Sequence, residues 1–356
     1  MSSSGSLSRS RMKVPSTSSS HWSRVDWQAL ERLRARFLDE SGGVSDYWSQ
    51  ESDLDSYDLT FAQRIAWKWM HVLDELALLG WRPPPIGVLD WGCGSGIAGR
   101  IFSDRFAKET FPTVTVWDRS PLAIRFAERR FSERFPGIRV ETGIPDSKPF
   151  TLLLSHVLTE LDEDQMAQLK TLCSRAAAVV CVEPGTYSSS RRLIQLRESL
   201  RADFQVVAPC CHQDACPMME ERHAPHWCHH FAWPPPEVFT DSGWARFATF
   251  MGIDLRSLPV SFLVLDRRPN EERLMGLTRL IGRARVYKPH ALILGCDKQG
   301  LMEPRVSKRH HPDFFKRLRK NEVPPWVRWI KENGEVKEIL KIMGSPPKAD
   351  ESQSTE

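Results

Sequence analysis

From Trp27 to about Leu79 the apolar residues Leu30, Leu33, Phe37, Phe61, Ile65, Trp69, Val72, Leu73 and Leu76 recur at three and four positions, the spacing that gathers side chains on one helix face. A helical N-terminal subdomain is expected over residues 26–82. The rhythm then changes. Gly87-Val88-Leu89-Asp90-Trp91 is a short apolar run entering a glycine-rich turn, and helical spacing resumes at Ile97. Further strands are expected at Thr113 to Trp117, Ile138 to Glu141, Phe150 to Ser155 and Ala176 to Val182, with helices at Pro121 to Phe131 and Asp162 to Arg175. Strands alternating with helices imply a parallel sheet covered on both faces, so residues 83–207 read as a doubly wound, Rossmann-like α/β domain. The chain next becomes rich in Cys, His and Pro until about Glu237, a poor helix and a poor strand. A helix over Glu237 to Phe250, strands at Ser261 to Leu265 and His290 to Leu294, and a basic stretch from Arg305 to Lys320 complete a smaller cysteine-rich α+β module over 208–343.

Both ends read as disordered tails, residues 1–25 and 344–356. The first twenty residues hold ten serines with Arg9, Arg11 and Lys13 and no acid, too little apolar surface to order themselves. With 356 residues the rest is long enough for two packed units, and 41% hydrophobic with 26% charged residues is a globular composition. No apolar run approaches the eighteen or so residues a bilayer helix needs, so no membrane partner is expected. The formal charge of +4 is too mild to diagnose nucleic-acid binding by itself. Eight cysteines are too few for a secreted disulfide scaffold and they are clumped, and no signal peptide is evident, which together favour a reducing compartment.

Asp90-x-Gly92-x-Gly94-x-Gly96 sits between a strand and a helix, where glycines let the backbone approach a nucleotide-like ligand. Asp118, twenty-two residues after Gly96, ends the next strand, where a carboxylate can accept both hydroxyls of a ribose. The acid ahead of the first glycine would repel a pyrophosphate and suits a cationic ligand instead. These residues resemble the first motif of class I S-adenosylmethionine-dependent methyltransferases, over roughly Ile86 to Val207. The resemblance implies cofactor contacts from Asp90, Trp91, Gly92, Cys93, Gly94, Gly96 and Asp118. After the fourth strand stands Ser155-His156-Val157-Leu158 and not the Asn/Asp-Pro-Pro-Tyr box of amino-methylating enzymes, so no catalytic residue is assigned.

Cys210, Cys211, Cys216 and Cys228 fall within nineteen residues, accompanied by His212, His223, His226, His229 and His230. Thiolates and imidazoles at such density can converge on a metal, and a proline-rich loop gains order when they do. Zinc and an iron–sulfur cluster both remain open, although the absence of short C-x2-C knuckles counts against zinc, and the absence of a C-x3-C-x2-C spacing speaks against radical methylation. Cys296, at a strand end, is a candidate fourth ligand. Cys93, Cys173 and Cys181 read as small buried hydrophobes.

Ala208-Pro209-Cys210-Cys211-His212-Gln213-Asp214-Ala215-Cys216-Pro217, with Trp227-Cys228-His229, Ser261-Phe262-Leu263-Val264-Leu265 and Val182-Glu183-Pro184-Gly185-Thr186, resembles the methyltransferase-like family associated with the small ribosomal subunit. Its mitochondrial members are assembly factors of that subunit and it has bacterial relatives. The resemblance implies a [4Fe–4S] cluster on Cys210, Cys216, Cys228 and Cys296, S-adenosylmethionine as the second cofactor, and a role in ribosome assembly and translation. Cys211 stands where the family usually has Pro, which leaves Cys210 and Cys211 as alternatives.

Between Arg305 and Lys320 lie seven Lys or Arg and one acid, interleaved with His310, His311, Phe314 and Phe315. That pattern offers phosphate contacts and stacking, and the family resemblance points to ribosomal RNA as the partner, not DNA. Arg191, Arg192 and Arg197 are expected to extend this positive surface. The readings that follow are an rRNA methyltransferase, a non-catalytic RNA-binding assembly factor, or a zinc-dependent small-molecule methyltransferase. The bacterial cytoplasm is the expected location, the mitochondrial matrix the alternative.

Overall fold

The computed structural model describes residues 19–38, 48–106, 112–146, 149–269 and 274–344. The expected tails fall outside the described residues except for 19–25 and Gly344, as does the side chain of Phe37. Four helices lead the chain: α1 (Ser19–Trp22), α2 (Trp27–Leu38), α3 (Glu51–Leu59) and α4 (Phe61–Leu78). The apolar stripe of α4 buries Ile65, Trp69, Val72, Leu73 and Leu76 in the main core.

The α/β unit follows with β1 (Val88–Trp91), α5 (Ile97–Phe106), β2 (Thr113–Trp117), α6 (Pro121–Arg134), β3 (Arg139–Thr142), β4 (Thr151–Ser155), α7 (Glu163–Arg175), β5 (Ala178–Pro184) and α8 (Tyr187–Leu200). Next come β6 (Gln205–Ala208), β7 (His230–Ala232), α9 (Glu237–Thr240), α10 (Ser242–Met251) and β8 (Leu258–Asp266). The strands run in the order β3-β2-β1-β4-β5-β8-β6, with β7 on β8. The first five are parallel, and β8 is antiparallel to β5 and β6. The fold is therefore the doubly wound α/β sheet expected of a Rossmann-like methyltransferase domain. The order reverses between β1 and β4, which opens a crevice beyond their C-terminal ends.

Two expectations change. Ser261 to Leu265 belongs to this large sheet, where β8 is buried along nearly its whole length and lies against β5, and not to the appended module. The helix expected over Glu237 to Phe250 is broken at Asp241, whose carboxylate accepts the Gly243 N–H and so starts a second helix.

The smaller unit contains β9 (Thr278–Val286), β10 (His290–Asp297), β11 (Gly300–Met302), β12 (Arg305–Ser307), α11 (Pro312–Arg319), β13 (Trp326–Glu332) and β14 (Glu335–Met343). β9 pairs with β10, β10 with β12, β12 with β14, β14 with β13, and β13 with β9, closing a five-stranded barrel in which only β12–β14 is parallel. Phe314, Phe315 and Leu318 of α11 fill it together with Leu280, Ile293, Val306, Val327 and Trp329. The β13–β14 hairpin was not foreseen, because β14 is mostly exposed and lacks a clear apolar alternation.

One buried ion pair joins the units. Arg279 of β9 donates to both carboxylate oxygens of Glu75 on α4, at 2.6 and 3.0 Å, and its guanidinium lies over the Phe262 and Trp326 rings. Burial pushes the Glu75 carboxyl up, but Arg279 and His71 outweigh it and hold it at about 2. Arg279→Met strands a buried carboxylate and is expected to cost about 3–5 kcal/mol in urea unfolding, while a Glu75→Met/Arg279→Met double change recovers most of it. Because the folded carboxyl lies below its ordinary 4.5, the pair's contribution is complete above that pH and fades as pH falls toward about 2. Acid titration of the urea midpoint should show this loss in the wild type and not in the double variant.

Candidate functional site

The glycine loop leaves β1 at the switch point. Gly92, Gly94 and Gly96 all have positive φ, 70°, 51° and 75°. They serve different neighbours. A Cβ on Gly92 would sit 2.7 Å from Val157 Cγ1, and one on Gly96 would sit 3.0 Å from the Ala127 Cβ of α6, so these two permit close packing. A Cβ on Gly94 would meet nothing within 4 Å, which marks it as the glycine on the open side. The Gly94 N–H donates to Asp118 Oδ2 and the Ser120 N–H to Oδ1, both at 2.9 Å, so the carboxylate is oriented by backbone. Trp91 stacks on Trp117 at 5.1 Å.

Asp90 is fully buried. Its Oδ2 accepts the Gly99 N–H at 3.0 Å, whereas Oδ1 has no hydrogen-bond partner among the described residues. Burial, reinforced by the charge of Asp118, pushes the Asp90 carboxyl up to about 7. A buried acceptor left unmatched in this way fits a cationic donor such as a methionyl ammonium. Cys93 is buried, like Cys173 and Cys181, and packs in the main core.

Across the crevice the β4 turn is held by Glu183, whose Oε1 accepts the N–H groups of Val157 and Leu158 at 3.0 and 3.2 Å. His156 adopts a left-handed φ of 56°, and Lys68 Nζ of α4 lies 3.5 Å from its Nε2. Burial and the positive charges of Lys68 and Arg64 hold the imidazole well below its usual range, and burial brings Lys68 down to about 7. The imidazole is thus uncharged near neutral pH, whereas Lys68 stands close to its midpoint, and the two meet at the C-terminal end of β4.

The second site lies between the sheet and the barrel. Cys210, Cys216, Cys228 and Cys296 line one cavity with Pro209, His212, Met218, Arg279 and Ile281. The chain delivers them from three places: the loop after β6, the segment before β7, and the C-terminal part of β10. Helix α8 anchors the first two. Thr186 caps it by accepting the Ser189 N–H, Ser190 Oγ accepts the Cys228 N–H at 3.0 Å, and Glu198 accepts the Cys216 N–H at 3.1 Å. Arg197, also buried, donates to the carbonyls of His212 and Asp214. Trp326 donates to the Pro209 carbonyl from the barrel side. Cys211 is not among the lining residues and packs against the main core instead.

The electrostatics of this cavity are unusual. Burial pushes the Cys216 thiol up to about 11 and those of Cys228 and Cys296 further, and the charge of Cys210 adds to each shift. Nε of Arg197, Nε of Arg279 and Nδ1 of His212 are buried without hydrogen-bond partners among the described residues. His212 Nε2 lies 3.6 Å from Cys296 Sγ and His230 Nε2 3.8 Å from Cys228 Sγ. Among the described residues no three His, Cys, Asp or Glu side chains are grouped tightly enough to hold a single metal ion.

A sequence profile described as mitochondrial small ribosomal subunit Rsm22 matches residues 68–326, well over half of the chain. The chain belongs to the Rsm22 family. No curated protein matches it. Among solved structures it is similar to a putative RNA methyltransferase from Pyrococcus horikoshii, at 12% identity over 68% of this chain and 98% of that one, TM-score 0.35. It is similar also to a SAM-dependent methyltransferase from Leishmania major, at 12% identity over 67% and 83%, TM-score 0.35. The plantazolicin methyltransferase in complex with SAH gives 13% identity over 68% and 98%, TM-score 0.36. The family assignment rests on the profile alone.

In this Rsm22-family chain the expected positive surface is rearranged. Phe314 and Phe315 are buried barrel residues, not stacking groups, because α11 is amphipathic and turns them inward. Arg191 donates to the carbonyls of Met218, His223 and Ala224, and Arg192 to those of Leu158 and Leu161, so both clamp loops to α8 instead of extending an exposed patch. Arg197 is buried at the cysteine cavity. Arg279 and Lys68 were missed, and Glu183 stood in the Val182 to Thr186 motif without a role: each is an isolated charge beside apolar residues, and only tertiary packing brings it to a site. Among the described residues no helix is long and apolar enough to cross a membrane.

Asp90→Asn provides a direct test of the first pocket. Since the folded carboxyl lies near 7 against an ordinary 3.8, its burial destabilises the ligand-free protein increasingly as pH rises through that window. The variant should therefore melt higher than wild type at pH 8, by up to about 4 kcal/mol, with the difference shrinking toward pH 4.

Proposed function

We propose that this chain is a small-ribosomal-subunit factor that holds S-adenosylmethionine at the glycine loop and a [4Fe–4S] cluster on Cys210, Cys216, Cys228 and Cys296. It acts in assembly of the subunit, and so in translation, by contacting ribosomal RNA. The carrying observation is the convergence of four cysteines from distant segments on one cavity flanked by two buried guanidiniums. Four thiolates so close together repel one another unless cations lie among them, and the donor set is all sulfur, as a cubane cluster takes. Arg197 and Arg279, with unmatched Nε–H donors, fit the net negative charge of such a cluster, and hydrogen bonds to its sulfurs tune its potential.

S-adenosylmethionine fits the crevice on three counts. Asp90 Oδ1 awaits a donor, Gly94 leaves open space, and Asp118 is held ready by two backbone N–H groups. When bound, the cofactor would supply an electrophilic methyl group. A second reading, methylation of rRNA, is favoured by His156 and Lys68 standing at the end of β4, where an acceptor would enter. The family association supports a bacterial cytoplasm or a mitochondrial matrix as the location, wherever small subunits are built.

Sedimentation of lysates separates the readings. Cys228→Ser is expected to remove the protein from the small-subunit fraction, whereas Asp90→Ala should leave it there while abolishing S-adenosylmethionine binding in calorimetry. Normal cosedimentation of the cysteine variant would overturn the assembly reading. An rRNA modification missing only in the Asp90 variant would establish methyl transfer.

A further inference from the structure

The geometry points to the outer face of the C-terminal barrel as a binding surface for single-stranded RNA, centred on β10 and β12. This deepens the RNA contact of the proposed function, and rests on it only for the choice of RNA over other single strands.

Counting β9, β10, β12, β13 and β14 as one to five, the barrel closes in the order 1-2-3-5-4-1, with α11 between the third and fourth strands. That is the topology of an oligonucleotide-binding barrel, in which the face of strands two and three and the adjoining loops receive the ligand. A fold alone does not establish a function. The side chains on this face supply the argument.

Leu292 of β10 pairs with Arg285 on one side and Arg305 on the other, so the three form a row across the sheet. Their chain neighbours Ala291, Ile293 and Val306 are buried in the barrel, which turns the row outward. At the hairpin between β9 and β10, Tyr287 and His290 stack in parallel, ring centroids 4.9 Å apart, with Tyr287 46% exposed. His290 pairs in turn with Ser307, from which the exposed Lys308 and Arg309 continue. Arg285 and Arg305 are steadied by Glu303 and Glu335, which orient the guanidiniums while leaving four cations to two acids.

An aromatic pair with its Tyr287 ring exposed and cations on either side is the arrangement that stacks an unpaired base and neutralises the phosphates beside it. A duplex hides its base faces and could use only the charges. Lys316 and Arg319 do not belong to this face. They project from α11, whose other side fills the barrel.

The test is fluorescence anisotropy of the full chain with a labelled, unstructured RNA of about twelve nucleotides, within the range one such barrel covers, and with its duplex. The wild type should prefer the single strand. Tyr287→Ala/His290→Ala is expected to weaken binding about tenfold with little change in salt dependence, and Tyr287→Phe to retain it. Arg305→Ala/Lys308→Ala/Arg309→Ala should weaken binding and flatten the salt slope, while the charge-removing control Lys316→Ala/Arg319→Ala stays within about twofold. Equal affinity for the duplex, unchanged binding in the aromatic variant, or an equal loss in the α11 control would each overturn the assignment. Cosedimentation with the small subunit that persists when oligonucleotide binding fails would overturn this face alone and leave the proposed function standing.

Discussion

A guanidinium cannot stay charged inside an apolar interface without a partner, and Arg279 finds one in Glu75, across the boundary between barrel and helical subdomain. The consequences spread from that pair. Glu75 lies on α4, the same helix that carries Lys68 to the crevice at β4 and buries Trp69 in the main core. Arg279 lies on β9 and also lines the cysteine cavity, while its ring contacts with Phe262 and Trp326 fix β8 against β13. The ion pair thus ties α4 to β9, the strand beside β10, whose Cys296 lines the same cavity as the thiols that the sheet side presents.

The two candidate sites share this framework but use opposite electrostatics. The crevice concentrates buried carboxylate around Asp90 and awaits a cation, whereas the cysteine cavity surrounds its thiols with Arg197, Arg279 and two imidazoles and suits an anionic centre. Helix α8 lies between them. Capped by Thr186, shortly after the Glu183 that holds the β4 turn, it carries Ser190, Arg197 and Glu198 to the cysteine loop. The Val182 to Thr186 segment is therefore structural for both sites at once.

Sequence reasoning captured what is periodic or local. The α4 stripe, the β1–glycine loop–α5 unit and the clumping of cysteines all sit in short windows, and the structure keeps them. What escaped was tertiary. Ser261 to Leu265 reads as a strand anywhere, and only pairing with β5 shows that it belongs to the large sheet. The barrel escaped because β14 is mostly solvent-facing and carries little alternation, and only its pairing with β13 and β12 closes the sheet. The basic stretch was read as one surface, yet β12 and α11 send its charges to different faces and take both phenylalanines inside. The choice between Cys210 and Cys211 was likewise beyond spacing, since adjacent residues differ only in which side of the loop they face.

The central claim is that Cys210, Cys216, Cys228 and Cys296 hold an iron–sulfur cluster. Its most direct test is iron, acid-labile sulfide and zinc per chain after anaerobic purification, with the Cys210→Ser and Cys211→Ser variants alongside. About four irons and four sulfides per chain are expected, lost in the Cys210 variant and retained in the Cys211 variant. Stoichiometric zinc without sulfide, or iron that survives Cys210→Ser, would contradict it.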